Sequence, residues 1–155
     1  MRRDGPSRRT PAKRRILIVE CHSLVRRGLT ALIDNEPDLI VCGAAATLAE
    51  ALEAIAPSLP DLVIAGHSPD GMAGLATVKG IRAGHEDLPI LVLSMHDAPS
   101  YAARAFLAGA SGFVTKREMG ETLLIAIRSV LAGEKYESPD PCSRFGATRI
   151  VPTGR

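Results

Sequence analysis

The chain has 155 residues and a formal net charge of +2, and 46% of it is hydrophobic although aromatic residues make up only 3%. This length suits one domain with an aliphatic core. No apolar run is long enough to span a membrane, and the cysteines lack CxxC spacing, so we expect a reduced, cytoplasmic protein without a disulfide framework.

The first fifteen residues hold seven arginines and lysines against a single acid, Asp4. We interpret residues 1–14 as a basic, disordered arm. Such an arm can also touch nucleic acid or another anionic surface. No aromatic residue interleaves these charges, so a stacking groove for single strands is not indicated.

Short apolar runs alternate with amphipathic stretches along residues 15–137. The predicted strands are 16–19, 39–42, 62–65, 90–93 and 113–115, and a helix is predicted after each. Ser23 is predicted to cap the first helix. Thr47 is predicted to cap the second with Glu50 as its capping-box partner, and Pro57 and Pro60 are expected to close that helix.

Strands that each lead into a helix predict an α/β fold, with a doubly wound parallel sheet of five strands in the flavodoxin-like order 2-1-3-4-5. In such a sheet the ligand site lies beyond the carboxyl ends of the strands. The residues found there are Glu20, Cys21, Gly66, His67, Ser94, Thr115 and Lys116. Residues 138–155, rich in Pro, Gly, Ser and Arg, are predicted to be a disordered tail.

Five segments carry a family resemblance. They are RILIVECHSLVRRGL at 15–29, PDLVI at 60–64, PDGM at 69–72, LPILVLSMHD at 88–97 and AGASGFVTK at 108–116. Together they resemble the CheY-like receiver domain of bacterial response regulators, in the NarL/FixJ/LuxR subgroup. The resemblance covers residues 15–137 and implies a (βα)5 receiver in two-component phosphorelay signalling.

The resemblance fails at the acceptor site. In the family, two acids after the first strand hold Mg²⁺ together with a phospho-accepting aspartate. Here Glu20 and Cys21 stand at the positions of those two acids, and Gly66 stands at the acceptor position. The loop that follows Gly66 is one residue shorter than in the family pattern. Sulfur is a poor ligand for Mg²⁺, and glycine offers neither a ligand nor a nucleophile. We therefore expect a pseudo-receiver without Mg²⁺ or another cofactor.

The rest of the phosphoryl pocket remains. Ser94 and Lys116 match the hydroxyl and the lysine that bind the phosphoryl group in the family, and Phe113 matches the aromatic switch position. Each also has a plain structural interpretation: Ser94 as a strand end, Lys116 as a solvated lysine or a partner of Glu20, and Phe113 as a core residue.

Three other residues near the acceptor site could bear on its chemistry. His67 could be phosphorylated or bind a metal with Cys21, whereas Asp70 belongs to a turn and should face away from the pocket. Cys21 near Lys116 could have a lowered thiol pKa and sense oxidants, although burial would oppose this.

We expect a stand-alone protein-interaction module and not an enzyme. Its expected partners are a sensor histidine kinase, a phosphotransfer protein or another receiver. The expected surface, which could also support a homodimer, comprises the fourth helix, fifth strand and fifth helix, with Tyr101, Ala105, Phe113, Lys116, Leu123 and Ile127. The tail is too short for a helix-turn-helix, so direct DNA binding is not expected. The alternatives are an active receiver with a non-standard acceptor and a truncated remnant of a NarL-type transcriptional regulator.

Overall fold

A computed structural model gives the fold of this chain and describes residues 12–66, 72–95, 99–118, 120–138 and 149–151. The strands are β1 (Arg14–Val19), β2 (Leu39–Ala45), β3 (Leu62–Gly66), β4 (Ile90–Ser94), β5 (Gly112–Thr115), β6 (Lys135–Glu137) and β7 (Arg149–Val151). The helices are α1 (Ser23–Asp34), α2 (Leu48–Ser58), α3 (Met72–Gly84), α4 (Pro99–Ala108) and α5 (Glu121–Leu131), and a 3₁₀ turn spans Lys116–Glu118.

The strands form one sheet in the order β2-β1-β3-β4-β5-β6-β7. The first six pair in parallel, and β7 is antiparallel to β6. The predicted α/β class and the order 2-1-3-4-5 are therefore confirmed. Among the described helices, none is long and apolar enough to cross a membrane.

The predicted number of strands was too small. β6 extends the sheet beyond β5, where the backbone N–H of Tyr136 donates to the carbonyl of Ser111 and that of Ser138 donates to Phe113. Tyr136 is buried against α5, which gives this short strand an anchor in the core. β7 then pairs with β6, so residues 149–151 of the predicted disordered tail are a strand. The remainder of that tail after Ser138, and residues 1–11 of the basic arm, lie outside the described residues.

The core has two halves, one on each face of the sheet. Ile16, Ile18, Leu91 and Leu93 pack with α1 and α5 on one face. On the other face, alternate strand residues pack with α2, α3 and α4. Because side chains in a strand point alternately to the two faces, these fully apolar strands need helices on both sides.

The predicted helix ends were partly correct. The Thr47 hydroxyl accepts a hydrogen bond from the Glu50 N–H at 3.2 Å, as the capping box requires. Ser23 is already helical, however, and His22 holds the N-cap position of α1. α2 also runs past Pro57, because the Leu59 N–H still donates to the Ile55 carbonyl at 3.0 Å.

Candidate functional site

The carboxyl ends of β1, β3, β4 and β5 lie side by side at one edge of the sheet, as predicted. Glu20 follows β1 directly, Gly66 ends β3, Ser94 ends β4, and Lys116 follows β5. Ser94 is fully buried and lies opposite Thr115 in the β4–β5 pairing. The parallel pairing thus gathers residues that are 22 to 96 positions apart in sequence into one candidate site.

Glu20 is the centre of this site. One carboxylate oxygen, Oε1, accepts hydrogen bonds from the backbone N–H of His22 at 3.1 Å and lies 2.9 Å from the imidazole Nδ1 of the same residue. The other oxygen, Oε2, lies 3.0 Å from the Lys116 ammonium Nζ. The side chains are only 1% and 7% exposed, so this ion pair is buried.

The absence of a side chain at Gly66 is what makes room for the Glu20 carboxylate. A Cβ atom placed on Gly66 would lie 1.9 Å from Glu20 Oε2 and 2.7 Å from Cδ, far closer than nonbonded atoms approach. The carboxylate therefore fills the space that the first atom of a residue-66 side chain would need. Any larger residue at this position requires Glu20 to move.

The ionisation of Glu20 is set by opposing effects. Burial disfavours the charged form and raises the pKa, but hydrogen bonds from His22 and the nearby Lys116 charge outweigh it, so that the pKa of Glu20 is lowered. Glu20 is consequently a carboxylate at neutral pH, and it provides the negative charge that Lys116 faces.

The loop after β1 brings a thiol and an imidazole to the same carboxylate. Cys21 Sγ lies 3.4 Å from His22 Nδ1 and 3.8 Å from Glu20 Oε1. Cys21 and His22 are exposed to solvent, in contrast to Glu20. The Arg26 guanidinium donates to the carbonyl of Glu20 at 2.7 Å and thereby links α1 to this loop.

This donor set does not fit Mg²⁺, the ion that the sequence resemblance implies. Mg²⁺ favours hard oxygen ligands in octahedral geometry. Glu20 already pairs with Lys116, Cys21 offers a soft sulfur, and Gly66 offers no side-chain ligand. The described residues thus lack the cluster of carboxylates that would hold this ion.

Of the other residues predicted for the site, the structure describes Phe113 but not His67 or Asp70. Phe113 is buried among residues of the α3 and α4 side of the core, in agreement with its interpretation as a core residue. His67 and Asp70 lie outside the described residues, so their proposed chemistry stays a prediction.

The residues predicted for the interaction surface are mostly internal. Ala105, Phe113, Leu123 and Ile127 are buried in the core, and Tyr101 packs against it. The apolar helical stripe that selected them marks the side of each helix that faces the sheet. In addition, β6 covers the edge of β5. The exposed hydrophobic side chains of α4 and α5 are instead Leu107 and Ile125.

Sequence reasoning missed two features of the site. It treated Gly66 only as the loss of a nucleophile, although a long acid at position 20 beside a glycine was a signal that the acid could occupy the vacated space. It also overlooked His22 and Arg26, which hold the Glu20 carboxylate and the loop.

Comparisons with known proteins agree with this fold. The family model described as the response regulator receiver domain matches residues 16–128. The oxygen regulatory protein NreC of Staphylococcus epidermidis is 32% identical over 123 residues, which cover 79% of this chain and 56% of that protein. The response regulator GacA of Pseudomonas viridiflava is 31% identical over 138 residues, which cover 89% and 64%. The chain thus spans about three fifths of the length of these relatives.

Solved structures give the same result. A LuxR-family two-component response regulator from Aurantimonas sp. SI85-9A1 is 34% identical, with a TM-score of 0.76 over 84% of this chain and 92% of that one. The signal receiver domain of NarL from Mycobacterium tuberculosis is 29% identical, with a TM-score of 0.70 over 79% and 99%. This chain therefore belongs to the response regulator receiver domain family, and its relatives place it with the NarL/LuxR-type members.

Proposed function

We propose that this receiver domain is not phosphorylated and that it acts in two-component signalling through protein contacts alone. The observation that carries the proposal is the Glu20 carboxylate, which lies against Gly66 and forms a buried ion pair with Lys116. The family's acceptor carboxylate is replaced here by a carboxylate from the neighbouring strand.

Phosphoryl transfer to a carboxylate needs an accessible nucleophile and a positively charged group that stabilises the negative oxygens of the transferring phosphoryl group. Gly66 supplies no nucleophile. Glu20 is the described carboxylate nearest to it, but its side chain is almost completely buried and its Oε2 already faces Lys116. A phosphodonor would have to displace this ion pair before it could reach the carboxylate, so Glu20 is a poor substitute acceptor.

We also propose that Mg²⁺ binding is lost. A divalent ion at this site would require oxygen ligands from positions 20, 21 and 66. Of these only Glu20 has a carboxylate, and the Lys116 ammonium lies 3.0 Å from one of its oxygens. A second cation would be repelled by Lys116 at that oxygen.

The Glu20–Lys116 ion pair explains how the domain could keep one conformation without phosphorylation. It joins the end of β1 to the end of β5 through side chains that need no phosphoryl group. The strand ends that phosphorylation would connect are therefore connected permanently. The domain would present one constant surface to its partners.

A sensor histidine kinase, a phosphotransfer protein or another receiver is the partner class that fits this role. We propose contact through the outward side of α4 or of α5, which lie on opposite faces of the sheet. Leu107 on α4 is 89% exposed and Ile125 on α5 is 52% exposed. Exposed Arg104 adds a positive charge on α4. A homodimer through either helix belongs to the same proposal, and the stand-alone role stays a prediction.

Titration with Mg²⁺ and beryllium fluoride, a mimic of the phosphoryl group, tests the proposal. We expect no change in the NMR spectrum of the wild-type chain. The variant Glu20→Asp/Cys21→Asp/Gly66→Asp restores three carboxylates and shortens the stem at position 20, and we expect site-localised shifts for it. Saturable, Mg²⁺-dependent shifts in the wild-type chain around Gly66 would contradict the proposal and support an active receiver with a non-standard acceptor.

A further inference from the structure

The loop after β1 brings three different metal-ligating groups together: the Glu20 carboxylate, the Cys21 thiol and the His22 imidazole. Their ligand atoms all lie within 4.8 Å of one another. We propose that these residues form a binding site for a thiophilic divalent cation, with Zn²⁺ as the ion. This site shares Glu20 and Cys21 with the candidate site described above, but its test does not depend on the proposed function.

The spacing of the three ligand atoms matches one face of a tetrahedron. With typical Zn–S, Zn–N and Zn–O lengths, ligand atoms around a tetrahedral zinc ion are separated by ~3.4–3.6 Å. The observed separations are 3.4 Å from Cys21 Sγ to His22 Nδ1, 3.8 Å from Cys21 Sγ to Glu20 Oε1, and 2.9 Å from His22 Nδ1 to Glu20 Oε1. The last must lengthen by roughly half an ångström when the ion replaces the hydrogen bond, and the distance from Cys21 Sγ to Glu20 Oε1 must shorten by roughly 0.2 Å.

The chemistry of the ligands selects against Mg²⁺ and for zinc. Thiolate and imidazole are ligands that Zn²⁺ binds well, whereas Mg²⁺ prefers oxygen. Cys21 removes an oxygen ligand for Mg²⁺ and at the same time supplies a sulfur ligand for zinc. The same loop position thus changes metal preference through a single side chain.

The surroundings allow an ion to enter and to be neutralised. Cys21 and His22 are exposed, so the ion can approach from solvent, while Glu20 holds the inner position. Lys116 contacts Oε2, which leaves Oε1 as the ligand atom on the solvent side of the carboxylate. Arg26 fixes the loop backbone through the Glu20 carbonyl. Carboxylate and thiolate bring two negative charges to the ion, and the Lys116 ammonium leaves the whole cluster with a single net positive charge.

Binding would release the thiol proton of Cys21 to solvent and would require the neutral form of His22. No electron transfer is involved. Three protein ligands leave one tetrahedral position for water.

The test uses the reduced, metal-free chain of 155 residues, with Co²⁺ as a spectroscopic substitute for Zn²⁺. We expect one Co²⁺ per chain, with thiolate-to-cobalt charge-transfer absorption and the visible bands of a tetrahedral ion. Zn²⁺ should displace it, and a large excess of Mg²⁺ should not. Absence of the charge-transfer band in the wild-type chain overturns the proposal.

Variants at exposed positions assign the ligands without disturbing the core. Cys21→Ser should abolish the charge-transfer band, and His22→Gln should weaken Co²⁺ binding by about tenfold or more. Cys42→Ser and Cys142→Ser are the matched controls, because each removes a thiol elsewhere in the sequence, and both should leave the titration unchanged. A band that survives Cys21→Ser, or that disappears with either control, refutes the site, and so does unchanged affinity in His22→Gln.

Discussion

Removing the Lys116 ammonium should destabilise the fold by more than a surface ion pair could. At the observed 3.0 Å between Nζ and Oε2, an effective dielectric constant of ~20 gives an attraction of roughly 5 kcal/mol. Loss of one partner leaves an uncompensated buried charge, which typically costs about 3–5 kcal/mol. Because His22 still donates to the Glu20 carboxylate, we expect Lys116→Met to lower the free energy of unfolding by about 3 kcal/mol.

A double-mutant cycle isolates the pair. Glu20→Gln/Lys116→Met removes both charges, so its free energy of unfolding should be within about 1 kcal/mol of the wild-type value. Urea unfolding with linear extrapolation provides the four free energies. Arg128→Met is the matched control, because the Arg128 side chain is 42% exposed and pairs with Glu36 and Asp38 at the surface, and we expect a loss of at most about 1 kcal/mol.

The coupling energy decides the result. We expect about 2–3 kcal/mol between Glu20 and Lys116. A coupling energy below about 0.5 kcal/mol, or equal losses in Lys116→Met and Arg128→Met, would refute the reasoning, because the pair would then behave as an exposed one.

Three further predictions concern Glu20, Gly66 and Arg82. The pKa of Glu20 is lowered in the folded state, so the stability that its carboxylate contributes is complete above the ordinary value of 4.5 and is lost as the pH falls through the folded value. When the free energy of unfolding is measured against pH, Glu20→Gln should therefore lose less stability in acid than the wild-type chain. Gly66→Ala places a Cβ on the Glu20 carboxylate and should cost about 1–3 kcal/mol in urea unfolding, with part of this recovered by Glu20→Asp, whereas an unchanged midpoint would show that the space is free. The Arg82 guanidinium donates to the carbonyls of Gly109 and Leu88, so Arg82→Met should lower the thermal midpoint by an amount equivalent to about 2 kcal/mol, and an unchanged midpoint would contradict this.

The sequence predicted the parts of the fold that depend on hydrophobic runs. The first five strands and the helices between them each carry a continuous apolar segment or stripe, and all are present. β6 has a single buried side chain, Tyr136, between exposed Lys135 and half-buried Glu137. Such a segment is extended only because it pairs with a distant strand, and local composition does not reveal that pairing.

The sequence predicted where the candidate site lies in the sheet, but not the contacts that its side chains make. Parallel strands brought Glu20, Gly66, Ser94 and Lys116 to one edge, as expected. The sequence allowed an ion pair between Glu20 and Lys116, but it could not show that both side chains are buried. Most of the residues chosen for the interaction surface are buried, because a periodic apolar stripe identifies the buried side of a helix and not its outer side. The surface itself stays a prediction.

Intact mass after incubation of the 155-residue chain with Mg²⁺ and acetyl phosphate tests the central claim most directly. The wild-type chain, shown to be folded by circular dichroism, should keep its mass, because the described acceptor position is Gly66 and the adjacent carboxylate is buried against Lys116. Glu20→Asp/Cys21→Asp/Gly66→Asp, treated in parallel, should gain one phosphoryl group. A phosphoryl adduct on the wild-type chain would contradict the account, and peptide mapping would then locate the acceptor among His67, Asp70 and Glu20.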